Sequence, residues 1–386
     1  MDFIRHNEEV KEVWERYNAG DPIRVPMILG INPRIWLLDP KLNREGISFE
    51  TYSKDAATMA RVQMYTKEYI RTNLPADHEM GLPDSWELYV DNQNILEAAW
   101  FGCKVVYHDG NCPSTVPMTR EELEKRVEAG FPDIETGWMG QKYAMYEELK
   151  SMVGQEGHLG IPIGSVGPLV NGTDGPVTVA CNLMGTAEFL TEMLADPEWA
   201  DELLGYITEA TIYRRKAQLR RYGMSEYTEG FGIADDSCAL ISTPMYEERV
   251  LPHHRRIFEE LGVAGTERNI HLCGDSTRHF LTIKEKLGVK AFDTGYPVDF
   301  AGMQKILGPD VRINGGPNTS LLLGGKPEAV AAETKRILGE VMPLTKRFVL
   351  REGNNLAPCT PPKNIAVMYE TVKQFGKYEV TTGKLK

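Results

Sequence analysis

From Gly157 onward the chain alternates short apolar runs with helical stretches, and the runs stop at glycines or polar side chains. FGIADD, NIHLCGD, VKAFDTG, VRINGGPN and RFVLREGN read as strands. The segments between them, such as PMYEERVLPHHRRIFEELG, STRHFLTIKEKLG and GKPEAVAAETKRILGEV, place apolar residues at three- and four-residue spacing and read as helices. Repeated strand–helix units call for a parallel sheet with helices outside it. For 386 residues an eight-stranded (β/α)8 barrel of the α/β class is the first expectation and a doubly wound sheet the second. In such a barrel the strand C-termini build the site. Asp235, Asp236, His271, Cys273, Asp293, Asn314, Asn354 and Asn355 all fall there.

Residues 1–150 read differently, as a mainly helical extension with the first barrel elements, and 151–386 as the rest of the barrel, all within one structural domain. Helices are expected at 8–18, 51–72, 119–128 and 141–152, with extended runs at Val25–Gly30 and Lys104–His108. Thr119 and Glu122 form the pattern of a capping box. One long helix is expected over Ala187–Tyr222.

The net charge of −12 and the lack of any Lys/Arg-rich run argue against nucleic acid or an anionic membrane surface as partner. The charged N-terminus lacks the apolar core of a signal peptide, and no run approaches the ~18 apolar residues of a membrane span. The six cysteines are far apart, which fits a reducing cytoplasm. Dinucleotide and P-loop glycine patterns, HExxH and G-x-S-x-G are all missing.

His271-Leu272-Cys273 is the sharpest local feature. Residues i and i+2 of a strand face one side, so imidazole and thiol converge on one point. That pair suits Zn2+, although a catalytic zinc takes three protein ligands and a buried structural pair is the alternative. Cys359, after the last strand, is the candidate third ligand, or else a small hydrophobe under a Pro-rich turn. Of Asp235 and Asp236, adjacent on a strand, at most one points into the barrel mouth. Each is read either as a cap or ion-pair partner, or as a group for substrate hydrogen bonding and acid–base work, as is Asp293. His253, His254 and His279 read as solvated or capping residues. Trp36, Trp86, Trp100, Tyr107 and Trp138 are mostly core and could in part wall an apolar substrate.

The ordered segments GIPIGSVGPLVNG, ADDSCALISTPMYEERVLP, NIHLCGDST, FDTGYPVDF, INGGPNTSLLLGGKPEAV and LAPCTPPKNI resemble the uroporphyrinogen decarboxylase superfamily over more than half the chain. The resemblance implies a barrel with its site at the strand C-termini. Decarboxylases of that family carry an Arg-rich M-R-Q-A-G-R motif, whereas here VPMILGINPRIWLLDP holds the single Arg34. The other branch, corrinoid-dependent methyltransferases, holds zinc by a His-x-Cys pair and a later cysteine. His271 and Cys273 match the pair. The usual position of the later cysteine is Asn354 here, which leaves Cys359, Glu352, Asn354 or no third ligand as options.

The implied function is methyl transfer between a small methylated substrate, expected to be a methoxylated aromatic, and the cobalt of a corrinoid on a partner protein. Asp236, His271 and Cys273 are expected to be catalytic. Asp235, Asp293, Tyr296 and Asn314 are expected to bind substrate. His271, Cys273 and Cys359 are the expected zinc ligands. The chain is expected in the cytoplasm, with a homodimer as one possible assembly. A uroporphyrinogen-type decarboxylase and a non-catalytic corrinoid- or tetrapyrrole-binding barrel are the alternatives.

Overall fold

A computed structural model describes residues 2–170 and 172–378. Contacts divide the chain into two compact units: Met1–Asp39, Tyr65–Leu82 and Lys290–Lys386 form one, and Pro40–Met64 with Pro83–Val289 the other. Neither unit ends near residue 150, where the sequence suggested a change of character.

In the second unit β1 (Trp86–Leu88) lies parallel to β4 (Ile163–Val166). An antiparallel hairpin, β2 (Lys104–His108) and β3 (Asn111–Val116), is inserted between them in the chain. β5 (Gly232–Ala234) runs parallel to β6 (Arg268–Leu272), with Ala234 beside His271. Asp174 bridges to Ala234 on the other edge of β5. The core residues of these strands, Ile233, Ile270 and Leu272, are buried, the composition expected where a strand is covered on both faces. The expected long helix is two: Thr186–Ala195 stops at Asp196, which caps a new helix at Pro197–Arg221 by accepting from the Trp199 N–H. Proline at the first turn has no N–H to lose and fixes the helical φ.

In the first unit β7 (Val289–Thr294, all but its first residue), β8 (Arg312–Gly315) and β9 (Val349–Leu350) are parallel neighbours. Met27 adds a further parallel partner to β9, and the Asp77 N–H donates to its carbonyl at 2.8 Å. The helices Phe300–Leu307, Pro327–Val341 and Pro362–Phe375 follow these strands in turn. Among the described residues β1, β4, β5, β6, β7, β8 and β9 each have a parallel partner, and isolated parallel bridges join Met27 to Leu350, Asp174 to Ala234 and Thr228 to Gly262. No helix in the described residues is long and apolar enough to cross a membrane.

Candidate active site

Because Ala234 and His271 are in register, the residues that follow each strand come side by side. The two acids after β5 then part company. Asp235 is fully buried, and its carboxylate accepts from the Thr178 N–H and Oγ1–H, both at 2.7 Å, and from His254 Nε2 at 2.8 Å. With its Nε2 proton committed to Asp235, His254 is left to accept from the Tyr246 hydroxyl through Nδ1 at 3.0 Å. Asp235 therefore anchors the helix that begins at Pro176, in place of the substrate contact expected from the sequence. His254 and His279 are buried as well, a correction to their reading as solvated residues. His279 Nε2 donates to the Cys238 carbonyl at 2.9 Å.

Asp236 faces the other way. Its Oδ1 accepts the Cys273 N–H at 2.7 Å and lies 3.5 Å from His271 Nε2. His271 Nε2 and Cys273 Sγ are 3.0 Å apart, within hydrogen-bond distance. Gly274 turns the chain away at φ +69°, a left-handed conformation glycine adopts without Cβ strain. Among the described residues, two sets of three metal-ligating side chains have donor atoms within 4.8 Å of one another. One, Asp235–Cys238–His254, is buried and bound into the network above, with burial and Asp235 pushing the Cys238 thiol far up. The other, Asp236–His271–Cys273, is half-buried and reachable. Its carboxylate, imidazole and thiol are the donors a Zn2+ site uses, and three protein ligands leave a coordination position open for substrate.

Asp174, which the sequence reading passed over, stands at the same strand ends. Burial first, then Glu97, Asp236 and Asp235, push its carboxyl well above the usual carboxylate range. Its signal in the sequence is only an acid before Gly175-Pro176.

The first unit gathers a separate group at its strand ends. Asp293, the next-to-last residue of β7, pairs with Arg351. Glu352 is buried and accepts the Gly30 N–H at 2.6 Å, and burial pushes its carboxyl up to about 8. Asn314 on β8 has a buried Oδ1 with no hydrogen-bond partner among the described residues. Tyr296 is half-exposed before the cis peptide to Pro297. Asn354 is exposed and accepts from the Asn355 N–H at 2.8 Å. Cys359 is exposed at φ +65°, its thiol 3.9 Å from the Leu38 carbonyl. It belongs to neither three-donor set. Of the expected aromatic wall, Trp36, Trp86 and Trp100 are buried core.

The family model described as uroporphyrinogen decarboxylase (URO-D) matches residues 37–375. A methylated-thiol–coenzyme M methyltransferase of Methanosarcina mazei is 28% identical over 63% of this chain and 61% of its own length. A methylcobamide:CoM methyltransferase of Methanosarcina acetivorans is 23% identical over 72% of this chain and 77% of its own. A uroporphyrinogen decarboxylase of Nocardia farcinica is 28% identical over 47% of this chain and 51% of its own. The chain thus spans about three fifths of the first relative and about half of the third. Among solved structures, a methyltransferase from Methanosarcina mazei matches with a TM-score of 0.65 at 18% identity, covering 95% of this chain and 98% of that one. The likeness establishes a common fold, the (β/α)8 barrel expected from the strand–helix alternation.

Proposed function

The chain belongs to the uroporphyrinogen decarboxylase family, and from that premise we propose that it moves a methyl group between a small methylated substrate and the cobalt of a corrinoid carried by a partner protein. The observation that carries this reading is the convergence of Asp236, His271 and Cys273 at two neighbouring strand ends. The methylcobamide-using relative supports the corrinoid, and the methyltransferase neighbour supports the reaction class.

The donor set fits zinc: one carboxylate oxygen, one imidazole nitrogen and one thiol sulfur, on a rigid pair of strands. A zinc ion held by Asp236, His271 and Cys273 would supply Lewis acidity toward the heteroatom that carries the methyl group. The remaining work falls to the chain itself. Asp236 fixes the turn after β6 by accepting the Cys273 N–H, so the thiol is held beside the imidazole. Cys273 must lose its proton to act as a ligand, which makes binding pH-dependent. Asp235, tied to Thr178 and His254 beneath, keeps the β5 end from shifting. Burial first, and then Glu97, Asp236 and Asp235, favour the neutral form of Asp174, in which its carboxyl would be a hydrogen-bond donor to an oxygen or nitrogen leaving group.

We further take the donor to be a methoxylated aromatic, in keeping with the departure from the methyltransferase cysteine motif at Asn354. The test is an absorbance assay for methylcobalamin, mixing the full-length protein with cob(I)alamin and, separately, methoxy-arenes, methylamines, methanol and methylthiols. Methylcobalamin should form with a methoxy-arene. Release of CO2 from uroporphyrinogen without corrinoid, and no methyl transfer from any donor, would replace this reading with the decarboxylase one.

A further inference from the structure

Asp236 is held less directly by the sheet than His271. The imidazole projects from within β6, where the ladder to β5 fixes its backbone. Asp236 lies two residues beyond Ala234, the last residue of β5, and opens the 3-10 helix Asp236–Leu240. Short 3-10 turns have poor hydrogen-bond geometry and stiffen themselves little. The bond that closes this one, from the Cys238 N–H to the Asp235 carbonyl, is 3.1 Å long. Yet Asp236 Oδ1 must stay 2.7 Å from the Cys273 nitrogen and 3.5 Å from His271 Nε2 for the three donors to converge. Something else has to hold the backbone on either side of it.

One hydroxyl does so. Thr178 stands in the first turn of the helix Pro176–Met184. Its Oγ1–H donates to Asp235 Oδ1 at 2.7 Å, and the same oxygen accepts the Ser237 N–H at 3.0 Å. A threonine hydroxyl has one proton to give and lone pairs to receive with, so both bonds form together. Residues 235 and 237 are thereby tied to a single atom, with Asp236 the one residue between them. The Thr178 N–H, among the first four amides of its helix and so without a partner inside it, also donates to Asp235 Oδ1 at 2.7 Å. The hydroxyl is thus anchored through its own backbone. His254 acts on one side only, meeting Asp235 Oδ2 through Nε2 while Nδ1 meets the Tyr246 hydroxyl.

We propose that Thr178 is the positioning residue of the three-donor set, its hydroxyl clamping the chain before and after Asp236 so that the carboxylate stays in register with His271 and Cys273. Thr178 acts through Asp236 and is not itself a ligand, because its hydroxyl is already spent on Asp235 and Ser237. Without the clamp, Asp236 would lose conformational freedom on meeting an ion, and that cost would come out of the binding free energy. The inference rests on the reading of Asp236, His271 and Cys273 as a zinc centre. It is independent of the methyl donor and of the corrinoid, so the test reads metal binding without turnover.

Zinc affinity of the full-length protein is measured by competition with a chromophoric chelator for the parent chain, Thr178→Val, Thr178→Ser and Thr119→Ala, each with a thermal unfolding curve. Valine keeps the shape and removes the hydroxyl, and serine keeps the hydroxyl. Thr119→Ala removes the cap of the helix Arg120–Glu128 and shows what lost stability alone does to affinity. Thr178→Val should bind zinc about tenfold more weakly than the parent, with Thr178→Ser and Thr119→Ala within about threefold of it. A folded Thr178→Val with the parent's affinity overturns the positioning role and leaves the zinc centre standing. So does a loss in Thr178→Ser or Thr119→Ala as large as that in Thr178→Val. A parent chain that binds no zinc overturns the centre and the proposal together. Should Thr178→Val not fold, Thr178→Ala is measured in its place, with the same outcomes.

Discussion

Asp235 and Asp236 show how one peptide unit separates structure from chemistry. The chain leaves β5 at Asp235 and turns into a short 3-10 helix at Asp236, which sends one carboxylate into Thr178 and His254 and sets the other beside His271 and Cys273. Removing Asp235 leaves His254 buried without its acceptor, so Asp235→Ala should destabilise the protein by about 3–5 kcal/mol in denaturant unfolding. Glu352 sets a pH dependence of opposite sign to the usual carboxylate. Burial raises its folded pKa from 4.5 to about 8, so the folded state holds the proton more tightly than the unfolded one. The stability it contributes is complete below pH 4.5 and is lost as pH rises to about 8, at up to ~1.4 kcal/mol per unit. Glu352→Gln should flatten that slope in unfolding curves taken between pH 5 and 8.5. His271 and Cys273 were legible in the sequence because the ending of an apolar run is a local pattern. Asp174 and the burial of Glu352, named only as an optional ligand, were not, since distant segments bury them, and His254 looked solvated for the same reason.

Elements were legible where their ends carry chemistry of their own. The capping box at Thr119 is present, with the Thr119 Oγ1 accepting from the Glu122 N–H and Glu122 accepting from the Thr119 N–H at 2.8 Å. Thr119→Ala should cost about 1 kcal/mol and leave activity unchanged, as measured by thermal unfolding and methyl transfer. Gly316 follows β8 where its backbone passes Arg351: a Cβ there would meet the Arg351 carbonyl oxygen at 2.2 Å. Gly316→Ala forces backbone movement between the ends of β8 and β9, and about 2–3 kcal/mol of destabilisation is the expected outcome in denaturant unfolding. The extended run expected at Lys104–His108 is β2, but its hairpin partner β3 and the three-residue β1 escaped the sequence reading, lying in a stretch that reads mainly as helical.

At the scale of the molecule, the alternation of strands and helices carries the fold, and the family match over residues 37–375 agrees with it. The N-terminal half read as an extension because its barrel segments, Met27 and β1, are short and widely spaced by helices. The account turns on Asp236, His271 and Cys273 acting as one zinc-holding centre for methyl transfer to a corrinoid. Its most direct test measures zinc per chain and the initial rate of methylcobalamin formation on the same preparations of the parent protein and Cys273→Ala. The parent should carry about one zinc, and Cys273→Ala should lose both the metal and about two orders of magnitude or more in rate while unfolding normally. Undiminished methyl transfer by a zinc-free parent chain, or by Cys273→Ala, would contradict the account.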